Sequence, residues 1–260
     1  MNNKQLQDLV TCYDAQASHF HNTRWFYKRP ELTYIAQILD SQTIASKNKS
    51  NSPQLSLLDI GCGTGRIAQR LDQQWYDHIC YQGVDISPGM IDQARMHYPD
   101  KDFEVIDMSS HLQSVSQQSL DVILCLAAFH HLQTKQERLV ALHNMYRTLN
   151  YWWVVILVNR SFSHWFLKKY RSSIIQAIIK SIGTLWTSKW NDILVPWKDP
   201  DFVTNQEIHH RFYHMFGLQE LKKLIRTTDF ELLESCYITQ DGAKNHNRHD
   251  SRNSFVVLRK

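Results

Sequence analysis

The sequence predicts an α/β protein whose core is a doubly wound, mostly parallel sheet. Between residues 55 and 158, apolar runs of strand length alternate with segments of helical periodicity. The first run leads into three glycines at alternate positions, Gly61, Gly63 and Gly65, and then into a helical pattern. The second and third predicted strands both end in an acid. Because ligands of such folds bind at the carboxyl ends of the strands, these features predict one binding site along that edge.

The individual elements follow from the same patterns. Strands are predicted at residues 55–60, 80–87, 103–107, 120–126 and 152–158, and two more at 230–239 and 252–259. Helices are predicted at 30–40, 66–74, from residue 88 onward, 134–149 and 218–227. Ser87-Pro88 is typical of a helix start, with Ser as the cap and Pro in the first turn. Residues 41–54, rich in Ser, Asn and Lys, are predicted to form a surface loop.

The length and composition favour one large cytoplasmic domain. The 260 residues contain no run of about 18 uncharged apolar residues and no signal-peptide pattern at the N-terminus. The five cysteines are scattered without a C-x-x-C pair, which is typical of a reducing cytosol and argues against a cysteine-based metal site. We therefore expect neither a membrane partner nor a metal site. The single domain, residues 1–260, is divided into an N-terminal lid and helix (1–54), a cofactor-binding core (55–159), a cap insertion (160–216) and a closing helix and strands (217–260).

The charge is unevenly distributed along the chain. Residues 1–159 carry 13 Lys and Arg against 15 Asp and Glu, whereas residues 160–260 carry 16 against 10. A basic C-terminal part suggests a polyanionic partner such as RNA. A surface that is basic only for solubility is an equally good explanation of charge alone.

The glycine turn and the neighbouring acids indicate which cofactor fits. Dinucleotide folds use G-x-G-x-x-G, whereas this spacing is G-x-G-x-G, with Asp59 two residues before the first glycine. A carboxylate there is a poor neighbour for a pyrophosphate and a good one for an ammonium or sulfonium. Asp85 is placed to accept hydrogen bonds from ribose hydroxyls, and Asp107 suits an adenine amino group. An acidic pocket without a pyrophosphate site fits S-adenosylmethionine.

These residues resemble the class I S-adenosylmethionine-dependent methyltransferases. The resemblance covers roughly residues 55–150 and rests on residues 59–65, 83–87, 107 and 121–131. It implies a Rossmann-like sheet of seven strands with an antiparallel last strand and a helical, aromatic cap after the fifth. It also implies a cofactor site made of Tyr13, Asp59, Gly61, Gly63, Asp85, Ile86, Met90, Asp107, Met108 and Leu126.

Shorter flanking motifs are similar to one subgroup, the tRNA wobble-uridine carboxymethyl methyltransferases. They are Tyr13-Asp14, Phe20, Thr23-Arg24-Trp25, Arg138, and residues 129–132, 195–197, 211–216 and 221–224. The resemblance implies a cytoplasmic role in tRNA modification and leaves room for a small helper protein as a partner. One departure is that the family's Pro-Gly-Gly before the fifth strand is replaced by residues 149–153, which include Asn150, Trp152 and Trp153. This puts the local turn in doubt.

The motifs at the strand ends restrict the methyl acceptor. The fourth strand ends in Leu126-Ala127-Ala128-Phe129, which is not the Asn/Asp-Pro-Pro-aromatic motif of base amino methylation. Neither Cys62 nor Cys125 is in a setting that suggests an activated thiolate for methylation of a ring carbon. A carboxylate acceptor needs only positioning, for which an Arg clamp is suited. Arg24 and Arg211 are the candidates, with Arg66 as a further one, and His130 is expected in the acceptor pocket.

Two other functions remain open. A small-molecule O- or C-methyltransferase would use the cap to enclose a metabolite, and a scaffold protein would keep the fold without turnover. His210 and His214 are four residues apart, as in a helical metal site, although packing explains them better among their aromatic neighbours. The aromatic residues of the cap could stack on bases, but their helical spacing is better explained by packing in a cap core. They are Trp165, Phe166, Trp186, Trp190 and Trp197.

Overall fold

The computed structural model describes residues 3–24, 31–47, 54–74, 78–183, 190–196, 210–248 and 251–260. In these ranges the strands are β1 (Leu55–Ile60), β2 (Ile79–Asp85), β3 (Asp102–Val105), β4 (Leu120–Leu126), β5 (Leu149–Arg160), β6 (Asp192–Pro196), β7 (His210–His214), β8 (Glu231–Thr239), β9 (Lys244–Asn245) and β10 (Ser251–Arg259). The α-helices are α1 (Asn3–Asp14), α2 (Ala17–Arg24), α3 (Glu31–Lys47), α4 (Arg66–Gln74), α5 (Pro88–His97), α6 (Met108–Ser114), α7 (Lys135–Thr148), α8 (His164–Lys169), α9 (Arg171–Gly183) and α10 (Leu218–Ile225).

The described strands form a large sheet in the order β3-β2-β1-β4-β5-β10-β8-β9 and a separate pair, β6-β7. Strand β1 pairs parallel with β2 on one side and β4 on the other, so the strand order reverses at β1. Strand β10 runs antiparallel to both of its neighbours, β5 and β8. The predicted doubly wound sheet with an antiparallel last strand is confirmed. The eighth strand is the short β9, which pairs with the edge strand β8 and was not predicted.

The sheet is buried on both faces, as its continuous apolar strands require. Alternate residues of β4 enter different cores: Ile123 and Cys125 pack on one face, Val122 and Leu124 on the other. All four are fully buried. The carboxyl ends of β1, β2 and β4 therefore lie on a well-packed base, which holds the residues that follow them in fixed positions.

Two helix starts match their sequence signals. The Ser87 side chain accepts a hydrogen bond from the Met90 amide at 3.2 Å, as expected of the cap of α5. Helix α7 begins with a capping box in which Thr134 and Glu137 bind each other's backbone amides.

The predicted loop at 41–54 is partly wrong, because α3 continues to Lys47. The Ser41 hydroxyl bonds within the helix to the Ile38 carbonyl, so this polar residue is accommodated on the helix surface. Helices α1, α2 and α6 and the β6-β7 pair were not predicted. His210 and His214 lie on β7 and not on a helix, so the i, i+4 spacing does not bring them to one helical face.

The replaced Pro-Gly-Gly is accommodated by a bulge at the start of β5. The β4-β5 register passes from Leu120↔Leu149 to Val122↔Val154. Trp152 takes the left-handed backbone conformation itself, with φ +73°. The Asn150 side chain donates to Asp121 at 2.9 Å across the two strands. The departure therefore changes the amino end of β5, which is the opposite end from the predicted site.

The cap has a small core of its own, in which Phe162, Phe166 and Ile174 pack against β6 and β7. Phe166 thus belongs to the cap core as expected, while Trp190 is 43% exposed and stacks on Phe162. The side chains of Trp165, Trp186 and Trp197 lie outside the described residues. Within the described ranges, no helix is both long and apolar enough to serve as a membrane span.

A buried cluster of charged and polar groups joins the cap pair to the core. His214 is completely buried, and its ring nitrogens lie 2.5 Å from Asp192 Oδ1 and 2.8 Å from Glu220 Oε1. Asn191 donates to Glu220 at 3.1 Å. Arg138 lies over the Phe216 ring, and the carboxylates of Asp192 and Glu220 offset the lowering of its pKa by burial. Elements β6, β7, α7 and α10 meet at this cluster, so packing of His214 is confirmed.

Candidate active site

The glycine turn after β1 has the backbone that the sequence predicted. Gly61, Gly63 and Gly65 all have positive φ, between +57° and +76°. A Cβ on Gly61 would lie 2.5 Å from the Ala128 Cβ, so a side chain there would collide with the end of β4. At Gly63, by contrast, no atom lies within 4 Å of the Cβ position. The turn therefore presents bare backbone to an open space beside α4.

Asp85, at the end of β2, is held by backbone amides. Its carboxylate accepts hydrogen bonds from Gly63 N at 2.9 Å and Ser87 N at 3.0 Å. Burial raises the pKa of Asp85, and these amides offset part of that rise. The hydrogen bonds fix the carboxylate beside the glycine turn, where it lines the cavity described below.

The other two acids occupy different environments. Asp59 is 1% exposed and accepts a hydrogen bond from the Tyr81 hydroxyl at 3.0 Å. Burial and the nearby Asp59 carboxylate raise the pKa of Tyr81 well above its usual value, so Tyr81 is a neutral donor. Asp107 caps α6, since one carboxylate oxygen accepts from the amides of Ser109 and Ser110. The sequence therefore located Asp107 at the strand end but missed its capping role.

One cavity of about 540 Å³ joins these features, a size within the usual range for small-molecule sites. Every residue predicted to bind the cofactor lines it, namely Tyr13, Asp59, Gly61, Gly63, Asp85, Ile86, Met90, Asp107, Met108 and Leu126. His130 and Arg211 line it too. Arg24 ends α2, but its side chain lies outside the described residues.

The cavity wall beyond β4 is aromatic and cationic. The guanidinium of Arg211, on β7, lies 5.6 Å from the Tyr13 ring centre and 5.5 Å from that of Tyr213. His130 stacks on Tyr213 with ring centres 4.9 Å apart. His131 bonds the Tyr13 hydroxyl at 3.0 Å and the Phe212 carbonyl at 2.7 Å. Helix α1, the end of β4 and strand β7 thus converge on one wall.

Both histidines are neutral at pH 7. Burial lowers the pKa of His130 well below its usual value, helped by His131 and nearby arginines. Burial and Arg211 lower the pKa of His131 to about 4, although its bond to the Phe212 carbonyl acts the other way. Arg211 therefore supplies positive charge to this wall, and the histidines supply neutral hydrogen-bonding groups.

Comparison with known families identifies the core. The model of a family described as "Methyltransferase domain" matches residues 57–151. This segment is a methyltransferase domain. The match spans β1 to the start of β5 and so includes the glycine turn, Asp85 and both histidines.

Two curated relatives and a solved structure resemble this chain. The tRNA (carboxymethyluridine(34)-5-O)-methyltransferase of Xenopus tropicalis is 23% identical over 95% of this chain and 40% of that protein. The malonyl-[acyl-carrier protein] O-methyltransferase of Acetivibrio thermocellus is 30% identical over 40% of this chain and 34% of that protein. The chain thus spans less than half of either relative. A SAM-dependent methyltransferase structure from Methanosarcina mazei superimposes with a TM-score of 0.59 at 21% identity, covering 83% of this chain and 96% of that one.

The predicted class of domain and its cofactor, S-adenosylmethionine, are therefore confirmed, and the residues present fit that cofactor. The open space beside Gly63 admits a ligand against the backbone, and Asp59 and Asp85 suit a positively charged donor. The individual contacts of the ten cofactor residues stay predictions.

The structure also rules against thiol chemistry at the cavity. Burial raises the pKa of Cys62 well above its usual value and that of Cys125 to about 12. Both thiols are therefore protonated at pH 7 and are poor nucleophiles. Among the described residues, no group of three or more His, Cys, Asp or Glu side chains is arranged to hold a metal ion.

The sequence did not indicate how α1 is attached to this site. Asp14, at its C-terminal end, accepts hydrogen bonds from the Ser87 hydroxyl and the Gly89 amide at the start of α5. His131 likewise contacts two elements that are distant in sequence. A weak signal for α1 existed in the helical spacing of Leu6, Leu9 and Tyr13, all of which line the cavity.

Proposed function

We propose that the methyltransferase forms a methyl ester on a carboxylate, and that this carboxylate belongs to a modified wobble uridine of tRNA. The observation that carries the proposal is Arg211, which lines the cavity although it is only 7% exposed. A guanidinium stays charged when buried and binds carboxylates through two parallel hydrogen bonds. An anionic acceptor at this wall would be attracted to its positive charge.

The chemistry needs positioning more than proton transfer. S-adenosylmethionine, which the glycine turn and Asp85 would hold, would supply a methyl group on a sulfonium sulfur. The acceptor oxygen would form the C–O bond as the C–S bond breaks, with the electron pair of that bond left on sulfur. The carboxylate is already ionised at pH 7, which agrees with neutral His130 and His131 at this wall. Arg211 holds and orients the acceptor in this proposal, and the Tyr213 and Phe166 side chains exclude water.

The charge of the chain and a relative support tRNA as the carrier of the carboxylate. The Xenopus relative is named for a carboxymethyluridine of tRNA. Lys168, Lys169 and Arg171, at the junction of α8 and α9, are exposed, and Lys169 lines the cavity. Basic groups at a cavity entrance favour a polyanion. We include Arg24 as a second arginine of the clamp and a small helper protein as a partner in this proposal.

A small acid is the second candidate acceptor. The relative from Acetivibrio thermocellus is named for a malonyl group on a carrier protein, and it is 30% identical over 40% of this chain. A cavity of about 540 Å³ with aromatic side chains in its wall also suits a metabolite. In that case Arg211 would bind the carboxylate of a free or carrier-bound acid, and the basic cap would be a solvated surface.

The deciding experiment is mass spectrometry of tRNA nucleosides from cells with and without the gene, followed by methylation of the deficient tRNA by purified protein. We expect a wobble uridine that gains one methyl group and loses it in mild base, as an ester does. An unchanged nucleoside profile, together with methylation of a small acid, would favour the metabolite function instead.

Arg211→Gln tests the clamp within the same assay. We expect KM for the acceptor to rise by about ten-fold or more, since a charge-assisted hydrogen bond contributes about 1.5–3 kcal/mol. Arg226→Gln is the matched control, because Arg226 is exposed at the end of α10. Equal acceptor KM values for the two variants would contradict the clamp.

A further inference from the structure

His131 bonds to both of the elements that meet at the cavity wall beyond β4, helix α1 and strand β7. It lies in the short turn after β4, is 8% exposed, and uses both of its ring nitrogens. Nδ1 lies 2.7 Å from the carbonyl oxygen of Phe212 on β7, and Nε2 lies 3.0 Å from the hydroxyl oxygen of Tyr13 on α1.

These partners fix the positions of the hydrogens. A carbonyl oxygen can only accept, so Nδ1 carries the proton and donates it. In the neutral ring Nε2 is then the acceptor, and the Tyr13 hydroxyl donates to it. With its hydrogen directed to Nε2, the Tyr13 oxygen keeps only lone pairs, and Tyr213 is a second side-chain hydrogen-bond partner of this hydroxyl.

We infer that His131 is a positioning residue, which sets the Tyr13 hydroxyl on α1 and strand β7 at fixed positions across the cavity and so couples cofactor binding to acceptor binding. The inference concerns the methyltransferase site and rests on the proposed function only for the acceptor.

The packing around the ring supports the coupling. The Tyr13 ring meets the His131 ring edge-on with centres 5.8 Å apart, and the Tyr213 ring lies 4.9 Å from it. The Arg211 guanidinium lies over both tyrosine rings. A shift of His131 would therefore move Tyr13 on the cofactor side and Arg211 on the acceptor side together.

A role as general base does not fit this geometry. Nδ1 carries a hydrogen and donates it in a hydrogen bond to the Phe212 carbonyl, and Nε2 already accepts a hydrogen bond from the Tyr13 hydroxyl. Neither nitrogen can take a proton from an acceptor without losing one of these bonds.

Three variants separate positioning from simple packing. His131→Gln keeps a donor for Phe212 and an acceptor for Tyr13, whereas His131→Leu fills space and keeps neither. Tyr13→Phe removes only the hydroxyl. His143→Leu, at an exposed site on α7, is the matched control.

The readouts are the Kd for S-adenosylmethionine by calorimetry and the KM and kcat for the acceptor. We expect His131→Leu to raise both Kd and KM by about ten-fold, the value of a lost buried hydrogen bond, with a smaller change in kcat. His131→Gln should recover most of both losses. In the double variant Tyr13→Phe, His131→Leu the two increases in Kd should not multiply, because both changes remove the same bond.

A folded His131→Leu variant with the Kd and KM of the wild type would overturn the inference, as would increases in Kd that multiply. If His131→Leu does not fold, the Kd for S-adenosylmethionine is measured instead for Tyr13→Phe, His131→Gln and the double variant of the two. Increases in Kd that multiply in this double variant would likewise overturn the inference. The Kd arm uses no acceptor, so a failure of the tRNA assay in the wild type counts against the proposed function and not against the coupling.

Discussion

Trp152 illustrates how a single residue can depart from its expected type while the fold is kept. It has φ +73° and is 69% exposed. Its amide donates to the Lys260 carbonyl at 2.9 Å, and the Arg259 guanidinium lies 5.8 Å from its ring centre. These contacts hold a conformation that usually costs a residue with a side chain about 1–2 kcal/mol.

At position 152, a glycine variant should therefore be more stable than an alanine variant, which is the reverse of the usual order of stability. We expect Trp152→Gly to have a free energy of unfolding about 1 kcal/mol higher than Trp152→Ala, because glycine takes positive φ without strain. Urea denaturation of both variants measures the difference. A more stable alanine variant would mean that the backbone relaxes out of the left-handed region.

Residues at strand ends were the predictable part of the site. Asp59, Asp85 and Asp107 could be assigned to one edge because the carboxyl ends of parallel strands meet there. The bonds of His131 could not be predicted, since its partners are 118 and 81 residues away in sequence. Such contacts depend on how the cap and α1 pack onto the core, which no local pattern encodes.

At the scale of elements, α1 is attached to the core through the start of α5. Asp14 accepts from the Ser87 hydroxyl and from the Gly89 amide, which lies 2.9 Å away. A carboxylate near a helix N-terminus also interacts favourably with the helix dipole. This attachment brings Tyr13 to the cavity wall.

Asp14→Ala should loosen α1 without unfolding the sheet. We expect faster proteolysis within residues 3–24 and weaker binding of S-adenosylmethionine, by about five- to ten-fold for two lost hydrogen bonds to one carboxylate. Limited proteolysis and calorimetry measure both effects, and Gln7→Ala, on the exposed side of α1, is the control. Unchanged cleavage rates would show that other contacts hold α1.

Element prediction succeeded where burial and periodicity agree and failed elsewhere. Strand β4 was predicted with its observed bounds, because it is a continuous apolar run buried on both faces. Helix α2, with the sequence ASHFHNTR, has no apolar stripe, so its helical form depends on tertiary packing. Strands β6 and β7 are short, and the clusters of aromatic residues around them gave no clear period.

For the whole molecule, the buried neutral histidines predict a dependence of stability on pH. The pKa of His131 is about 4 in the folded state and near 6.5 when unfolded. Between these values the unfolded chain binds more protons, so the free energy of unfolding falls as the pH drops below 6.5. The contribution is fully present above pH 6.5, and His130 acts in the same direction.

Urea denaturation at pH 7 and pH 5 tests this, with His131→Gln as the comparison. We expect the wild type to lose more stability than the variant over this interval. Asp85 acts in the opposite direction, because burial raises its pKa, so the difference between the two proteins is more informative than either alone. Equal losses would show that His131 is solvated or protonated in the folded state.

The buried cluster around His214 also determines how the cap assembles. In the β6-β7 pair Asp192 lies opposite His214, and Val195 lies opposite Arg211. A slip of one residue would turn His214 to the other face of the pair and leave Asp192 and Glu220 without it. The same slip would turn Arg211 away from the cavity. The cluster therefore favours the one register of β6 and β7 in which Arg211, the proposed carboxylate clamp, faces the cavity. We expect a variant that disrupts the cluster to accumulate molecules with an intact cofactor pocket and a misassembled acceptor wall.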